Sequence, residues 1–589
     1  MPELGADQAF ALALQDHRAG RLAEAERGYR EILRRAPEHA DALHLLGVIA
    51  MQTGDLRSAL LLVQRAVSLR PDAAVCRNNL GQIFDRMGRF GEAARSYETA
   101  IELDPGYAEA YNNLGYVLAR QDRLADADAF YRKAIELDPQ YAEPHTNRGN
   151  LLKDRAELDA AIACYRRAIA LRPDLSALHS NLLLTLHYHS GYSPEDLARE
   201  HRAWANRHVA PLAAARRPHA NGREPGRRLR VGFVSGDFRE HPVARFMLPL
   251  LRERNPEHAE IFAYSDVAAP DAVTELLRER VDRWRDVAAL GDAQLAEAVR
   301  ADGIDVLVDL AAHSGHNRLL TFARKPAPVQ VTYLAYCSTT GVDAIDYRIT
   351  DRFLDPQPAA GHYSEASLYL PNCYWCYSAP PLPGARRPST ERVAGPPTFG
   401  CLNNFAKVTD ATFDLWTRLL RRVPEARLLV YARTEFHRDR VRHALRTAGV
   451  DESRAAFVGR QSLGDYLETY RLIDVALDTH PYGGGTTTCD ALWMGVPVVS
   501  LAGSTAVSRA GSTLLSNVGL EHLAARTAEE YVALAAGLLR DASGLAAFRR
   551  ELRERLESSP VMDARRFTRD FEAAFRTAWR DWCARDAGR

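Results

Sequence analysis

Proline returns every 34 residues in the first third of this chain, at Pro37, Pro71, Pro105, Pro139 and Pro173. Glycine keeps the same step at Gly47, Gly81, Gly115 and Gly149, and alanine at Ala25, Ala59, Ala93, Ala127 and Ala161. A unit this short cannot bury an apolar face alone, so successive copies must stack into an array. The small residues let two helices of a unit approach. The proline follows the second helix because it cannot continue one.

A helix–turn–helix of this period is the tetratricopeptide repeat. Its clearest copy is residues 108–141, A-E-A-Y-N-N-L-G-Y-V-L-A-R-Q-D-R-L-A-D-A-D-A-F-Y-R-K-A-I-E-L-D-P-Q-Y. Five copies run from Ala6 to Leu175, and a further helix, Ser176 to Tyr188, is placed to seal the exposed apolar end. The solenoid is therefore expected over residues 6–190. First helices line the concave side of such an array. Asn79, Asn113, Asn147 and Asn181 recur there in phase, a ladder of amides suited to the backbone of an extended protein or peptide partner. The alternative is that these asparagines pack or cap between helices, and both readings stay open.

At 589 residues the chain has room for several domains. Its 76 basic and 76 acidic side chains cancel, which gives no reason to expect nucleic acid or an anionic membrane as partner. No apolar stretch reaches membrane-spanning length and no basic–apolar leader opens the chain, so a cytoplasmic location is expected. Eight cysteines are scattered, and Cys373–Cys376 forms the only CxxC; without a second ligand pair it reads as packing and no metal site is expected. Lysine is scarce: Lys133, Lys153, Lys325 and Lys407.

After a linker region at 191–228, buried strands alternate with helices in two sets. The first, 229–377, holds strands at Leu229 onward, Ile261–Tyr264, Ile304–Leu310 and Val329–Tyr336. A stretch dense in proline and glycine, 378–397, separates it from the second, 398–586. That set holds strands at Thr398–Leu402, Arg427–Tyr431, Ala455–Val458, Val475–Leu477 and Val496–Leu501. The alternation predicts two α/β lobes with parallel sheets, Rossmann-like, and a ligand cleft where strand ends face each other. The final helices, from about Thr527, are expected to close the second sheet and cross back to the first lobe.

The densest chemistry lies in V-A-L-D-T-H-P-Y-G-G-G-T-T-T-C-D-A-L-W-M-G-V-P, residues 475–497. A strand, a glycine turn and a helix opening on Thr486, Thr487 and Thr488 make a cradle for phosphate, because a helix start offers unpaired N–H groups and partial positive charge. Asp490 can take ribose hydroxyls. Lys407, in the loop after a strand, is a cation suited to a leaving diphosphate. His241 and His313, each in a loop after a strand, are candidates for general base or for donor to a sugar. Tyr466 offers a ring to a nucleobase; core packing is its other reading.

Together these motifs resemble the O-linked N-acetylglucosamine transferase/SPINDLY family. The matching segments are G-F-V-S-G-D-F-R-E-H-P, K-P-A-P-V-Q-V-T, D-Y-R-I-T-D, L-P-N-C-Y, N-N-F-A-K and the 475–497 run, in the family's order over nearly the whole chain. The resemblance implies tetratricopeptide repeats followed by a GT-B unit of two Rossmann-like lobes. It implies an inverting protein O-glycosyltransferase that needs no metal or other cofactor and takes a nucleotide sugar as donor. It places Lys407 at the donor diphosphate, Thr486 and Thr487 at the phosphate, Asp490 on the ribose, Asn404 and Tyr466 at the donor, and His241 as the base. The animal enzymes carry a histidine where this chain has Gly485, and N-N-F-A-K is closer to the SPINDLY branch. UDP-GlcNAc and GDP-fucose both remain open as donors. A glycosyltransferase acting on a non-protein acceptor and a repeat scaffold with an inactive lobe are the rival readings. A homodimer is left open.

Overall fold

The computed structural model describes residues 6–334, 336–356, 361–380 and 388–585. The middle of the expected 378–397 linker and Asp586, the expected last residue of the second lobe, lie outside the described residues. The chain divides into two compact units. One runs to Leu152 and includes Ala163–Pro173; the other takes Lys153–Ile162 and everything from Asp174 onward.

In the first unit, helices of 13 and 14 residues alternate, beginning with Ala6–Arg18 and Leu22–Arg35. The repeat positions explain themselves sterically. A Cβ at Gly81, Gly115 or Gly149 would meet the ring of Tyr97, Tyr131 or Tyr165 at 2.5–2.8 Å, because each tyrosine of a second helix lies flat over the glycine of the first. Ala25, Ala59, Ala93 and Ala127 are fully buried at the same interface.

From Asp174 onward the second unit begins with helices Ser176–Leu186 and Pro194–His208, the latter started by a Ser193/Asp196 capping box with proline in its first turn. The division therefore falls earlier than residue 190. The helix Ser176–Leu186 is held in the second unit by a buried histidine group: Ser180 Oγ bonds His313 Nδ1 at 3.0 Å, and His201 Nε2 bonds the Tyr336 hydroxyl at 3.0 Å.

Two parallel sheets follow. The first contains β1 (Leu229–Ser235), β2 (Ala259–Ser265), β3 (Arg283–Asp286), β4 (Val306–Asp309), β5 (Val329–Thr332), β6 (Tyr347–Asp351) and β7 (Ala366–Leu370), in the order β3-β2-β1-β4-β5-β6-β7. The second contains β8 (Thr398–Cys401), β9 (Arg427–Tyr431), β10 (Ala455–Val458), β11 (Val475–Leu477), β12 (Val498–Leu501) and β13 (Ala524–Ala525), in the order β10-β9-β8-β11-β12-β13. Strand order reverses between β1 and β4 in one sheet and between β8 and β11 in the other. Ligand sites of doubly wound sheets form at such reversals.

Strands β3, β6, β7 and β13 were not expected from the sequence. β3 is a charged, half-exposed edge, and β13 has two residues. β6 is wholly buried yet carries Arg348, Thr350 and Asp351. Arg348 pairs with Asp355 beneath the Tyr363 ring, 3.7 Å away, so polarity hides a buried strand.

The helix Ala564–Arg585 leaves the second lobe and packs on the first. Phe571 lies 4.9 Å from the Tyr333 ring, and Asn372 donates to Asp570. Among the described residues no single helix is long and apolar enough to cross a membrane.

Candidate active site between the two lobes

Four loops meet across the cleft, one after each strand at the two reversals: β1, β4, β8 and β11. They enclose two adjoining cavities of about 520 and 360 Å³, which share His241, Pro242, Thr486 and Thr487.

The phosphate cradle after β11 is built as the residues dictate. The helix Thr486–Trp493 starts at Gly485 with no side-chain cap, which leaves its start open to an anion. Asp478, buried at the end of β11, accepts the Gly484 N–H at 2.6 Å and the Ser500 hydroxyl at 2.7 Å and so fixes the turn. A Cβ at Gly484 would collide with Thr487 Oγ1, so the turn requires glycine there. Thr487 donates to Asn403 Oδ1, and the Asn403 amide donates to Thr479 Oγ1 at 2.8 Å; this ties the helix start to the loop after β8.

That loop carries Lys407 in a short 3₁₀ turn, Phe405–Lys407, capped by the Asn404 side chain, which accepts the Ala406 N–H at 3.1 Å. Lys407 Nζ donates to the Gly483 carbonyl at 3.0 Å and lies 4.2 Å from the centre of the Tyr482 ring. Burial lowers its pKa to about 8, against the pull of Asp478. Lys407, Asn404, Thr486 and Thr487 line the larger cavity together.

His241 caps the helix Pro242–Glu253. Its Nδ1 accepts the Val243 N–H at 3.3 Å and lies 3.5 Å from Asp237 Oδ2. Burial lowers the imidazole's pKa, with Asp237 opposing, which keeps the ring neutral at pH 7. A neutral ring whose Nδ1 accepts must carry its proton on Nε2, so in this arrangement His241 is a donor toward the cavity.

Tyr466 and Asp490 line the smaller cavity. The Tyr466 hydroxyl bonds Tyr470 at 2.8 Å and Asp490 Oδ2 at 3.1 Å. Asp490 also accepts Tyr377 at 2.6 Å and Arg245 of the first lobe at 3.0 and 3.1 Å.

His313 does not belong to this site. It is fully buried; Nε2 donates to the Thr340 carbonyl at 2.7 Å, Nδ1 accepts from Ser180, and the ring stands edge-on to Trp204 at 4.5 Å. Both nitrogens are engaged, Nδ1 with the helix Ser176–Leu186 and Nε2 with the loop at Thr340. His316, three residues on in the same motif, is the histidine that lines the larger cavity.

In the repeats, the ladder amides mostly bond the preceding repeat. Asn79 Nδ2 meets His44 Nε2 at 2.7 Å, Asn113 donates to Asn78 at 3.0 Å, and Asn147 donates to Asn112 at 2.9 Å. The packing alternative thus accounts for their amide nitrogens. For Asn181, the recorded bond is at its backbone carbonyl, which accepts the Thr185 hydroxyl at 2.7 Å.

Sequence reasoning passed over Asn403, Asp478, Tyr377 and Arg245. Asn403 and Asp478 stand inside motifs already singled out. Arg245 gives no signal by spacing, since its partner is 245 positions away.

Two parallel-sheet lobes with reversal-point loops facing across a cleft, a helix start open to phosphate and a buried lysine beside it define the GT-B architecture of nucleotide-sugar glycosyltransferases. The chain belongs to glycosyl transferase family 41, which matches residues 178–378 and 397–571. Tetratricopeptide repeat families match residues 10–74, 78–142 and 130–163. The chain is 36% identical over 414 residues to the probable UDP-N-acetylglucosamine–peptide N-acetylglucosaminyltransferase SPINDLY of Solanum lycopersicum, covering 69% of this chain and 44% of that one. It is 35% identical over 411 residues to the SPINDLY of Arabidopsis thaliana, covering 68% and 45%. It thus spans less than half the length of these relatives. A mutant of the Thermobaculum terrenum O-GlcNAc transferase superposes with a TM-score of 0.80 at 39% identity, covering 87% of this chain and 98% of that one.

Proposed function

We propose that this chain is an inverting protein O-glycosyltransferase that moves one sugar from a nucleotide diphosphate to a Ser or Thr hydroxyl. The observation that carries the reading is the grouping of Lys407, Thr486, Thr487 and His241 on one cavity. The diphosphate lies on the helix start, with Lys407 donating beside it. The acceptor hydroxyl attacks the anomeric carbon from the face opposite the leaving group. Lys407 and the helix start stabilise the departing diphosphate, the task a metal performs in other transferases. His241 first donates from Nε2. It serves as base only after its Nδ1 leaves the Val243 N–H and its proton is held by Asp237, freeing Nε2 to accept.

UDP-GlcNAc and GDP-fucose are the two donors proposed. The repeats bind the acceptor protein. With their amide nitrogens engaged, Asn79, Asn113 and Asn147 meet the peptide through carbonyl oxygens that accept its backbone N–H groups. The proposed setting is the cytoplasm, which suits eight buried free thiols.

The test is nucleotide release by the purified chain against UDP- and GDP-sugars, with lysate protein as acceptor and Lys407→Ala as control. Release from one donor, lost in the variant and accompanied by sugar mass on protein, supports the reading. Sugar on a free glycan, or no release from any donor, overturns it in favour of a different acceptor or a scaffold.

A further inference from the structure

Asp490 is fully subscribed. A carboxylate offers about four lone-pair sites on two oxygens. Arg245 Nη1 takes one on each oxygen, Tyr377 takes a second on Oδ1, and Tyr466 takes a second on Oδ2. A ribose hydroxyl can reach this carboxylate only if one partner withdraws. Tyr377 is buried, and to withdraw it would have to leave its packed position. Among the described residues Arg245 is the only cation paired with Asp490, which is 1% exposed, and its loss would strand a buried charge. Tyr466 is free to withdraw, because its hydroxyl already bonds Tyr470 at 2.8 Å.

Arg245 has more to offer. Its guanidinium carries five N–H donors in a planar fork, and the bonds to Asp490 engage Nη1 alone. The side chain is one-fifth exposed and lines the 360 Å³ cavity beside Thr486 and Thr487. It comes from the helix Pro242–Glu253 of the first lobe, whereas Asp490 and both threonines belong to the second.

We propose that Arg245 is a donor-binding residue supplied by the first lobe. It keeps Asp490 ionised so that the ribose can displace Tyr466 from Oδ2, and it turns its Nε and Nη2 donors to the phosphate nearest the ribose. The bound nucleotide then joins the two lobes through one guanidinium. This inference rests on the nucleotide-sugar reading above.

Calorimetric binding of UDP and GDP to wild type, Arg245→Ala and Arg245→Lys at pH 7 tests it. Arg245→Ala should weaken binding of the preferred nucleotide on the order of thirtyfold at pH 7. Arg245→Lys, which restores a cation beside Asp490, should recover much of the affinity. Binding of the alanine variant within twofold of wild type overturns the proposal. So does a deficit that lysine does not rescue, which would make Arg245 only a brace between lobes. Wild type binding neither nucleotide removes the donor reading itself, and this inference with it.

Discussion

His241 Nδ1 accepts the backbone N–H of Val243, and that single bond decides which way the imidazole can work. Asparagine can both cap a helix and donate to a ligand, but it cannot take a proton. His241→Asn therefore separates two roles. If His241 acts chiefly as a donor, the asparagine variant keeps a substantial share of kcat while His241→Ala loses it. If proton removal by His241 limits the rate, both variants fall together, about a hundredfold or more. Steady-state turnover with a fixed acceptor checks this.

The same ring has its pKa pushed below 6.5 by burial. It stays neutral as pH falls through that value, so the acid limb of kcat/KM should lie below pH 6.5. An acid limb above 6.5 in the wild type, absent from His241→Asn, would contradict the burial argument.

Lys407 sets the alkaline limb. Its pKa of about 8 lies below the ordinary lysine value, so the ammonium loses its proton as pH rises through 8. In the free enzyme kcat/KM should decline above that pH. Lys407→Ala should lower kcat about a hundredfold or more and show no such decline. Since burial disfavours the charge, removing it should leave Tm unchanged or raise it. A large fall in Tm would mean that Lys407 is structural.

The buried histidines predict an acid instability. His201 has a folded pKa of about 4, and His187 and His313 are lowered in the same direction by burial first and then by the neighbouring His201. The unfolded chain takes up these protons first, near pH 6.5, so stability falls as pH drops from 6.5 toward 4. His201 alone accounts for about 3 kcal/mol over that span. Trp204, packed on His313, should report the loss in urea titrations at pH 7.5 and pH 5. Equal midpoints would contradict it.

Gly115→Ala should destabilise the repeat unit by about 1–3 kcal/mol, because the new methyl meets the Tyr131 ring at 2.8 Å. The checking measurement is the unfolding midpoint of the helical signal, with Gly106→Ala, on the exposed surface, as control.

Much of this architecture could be read in the chain because its physics is local. A 34-residue step needs only a glycine under a tyrosine ring, and the strand–glycine–threonine run needs only a turn and an open helix start. Lys407, Thr486 and Thr487 come together because each follows a strand at a reversal. What escaped the reading is long-range. His313 and His316 stand in one loop, and only the Ser180 and Thr340 contacts decide that the first is buried and the second faces the cavity. β6 escaped because Arg348 is neutralised by a carboxylate and a ring supplied from outside the strand. Arg245 escaped because nothing near it in sequence announces Asp490.

The helix Ala564–Arg585 has a consequence for biosynthesis. Phe567, Phe571, Phe575 and Trp579 belong to the same buried core as β1, β4 and β5. On the ribosome the first lobe is translated long before these residues and must wait with its core unfinished. Lobes that normally mature in order of synthesis here mature together, once this helix has been made. A nascent chain therefore exposes an apolar sheet face to chaperones until this helix emerges, and a message truncated before residue 564 would yield protein lacking both a closed first lobe and a competent cleft.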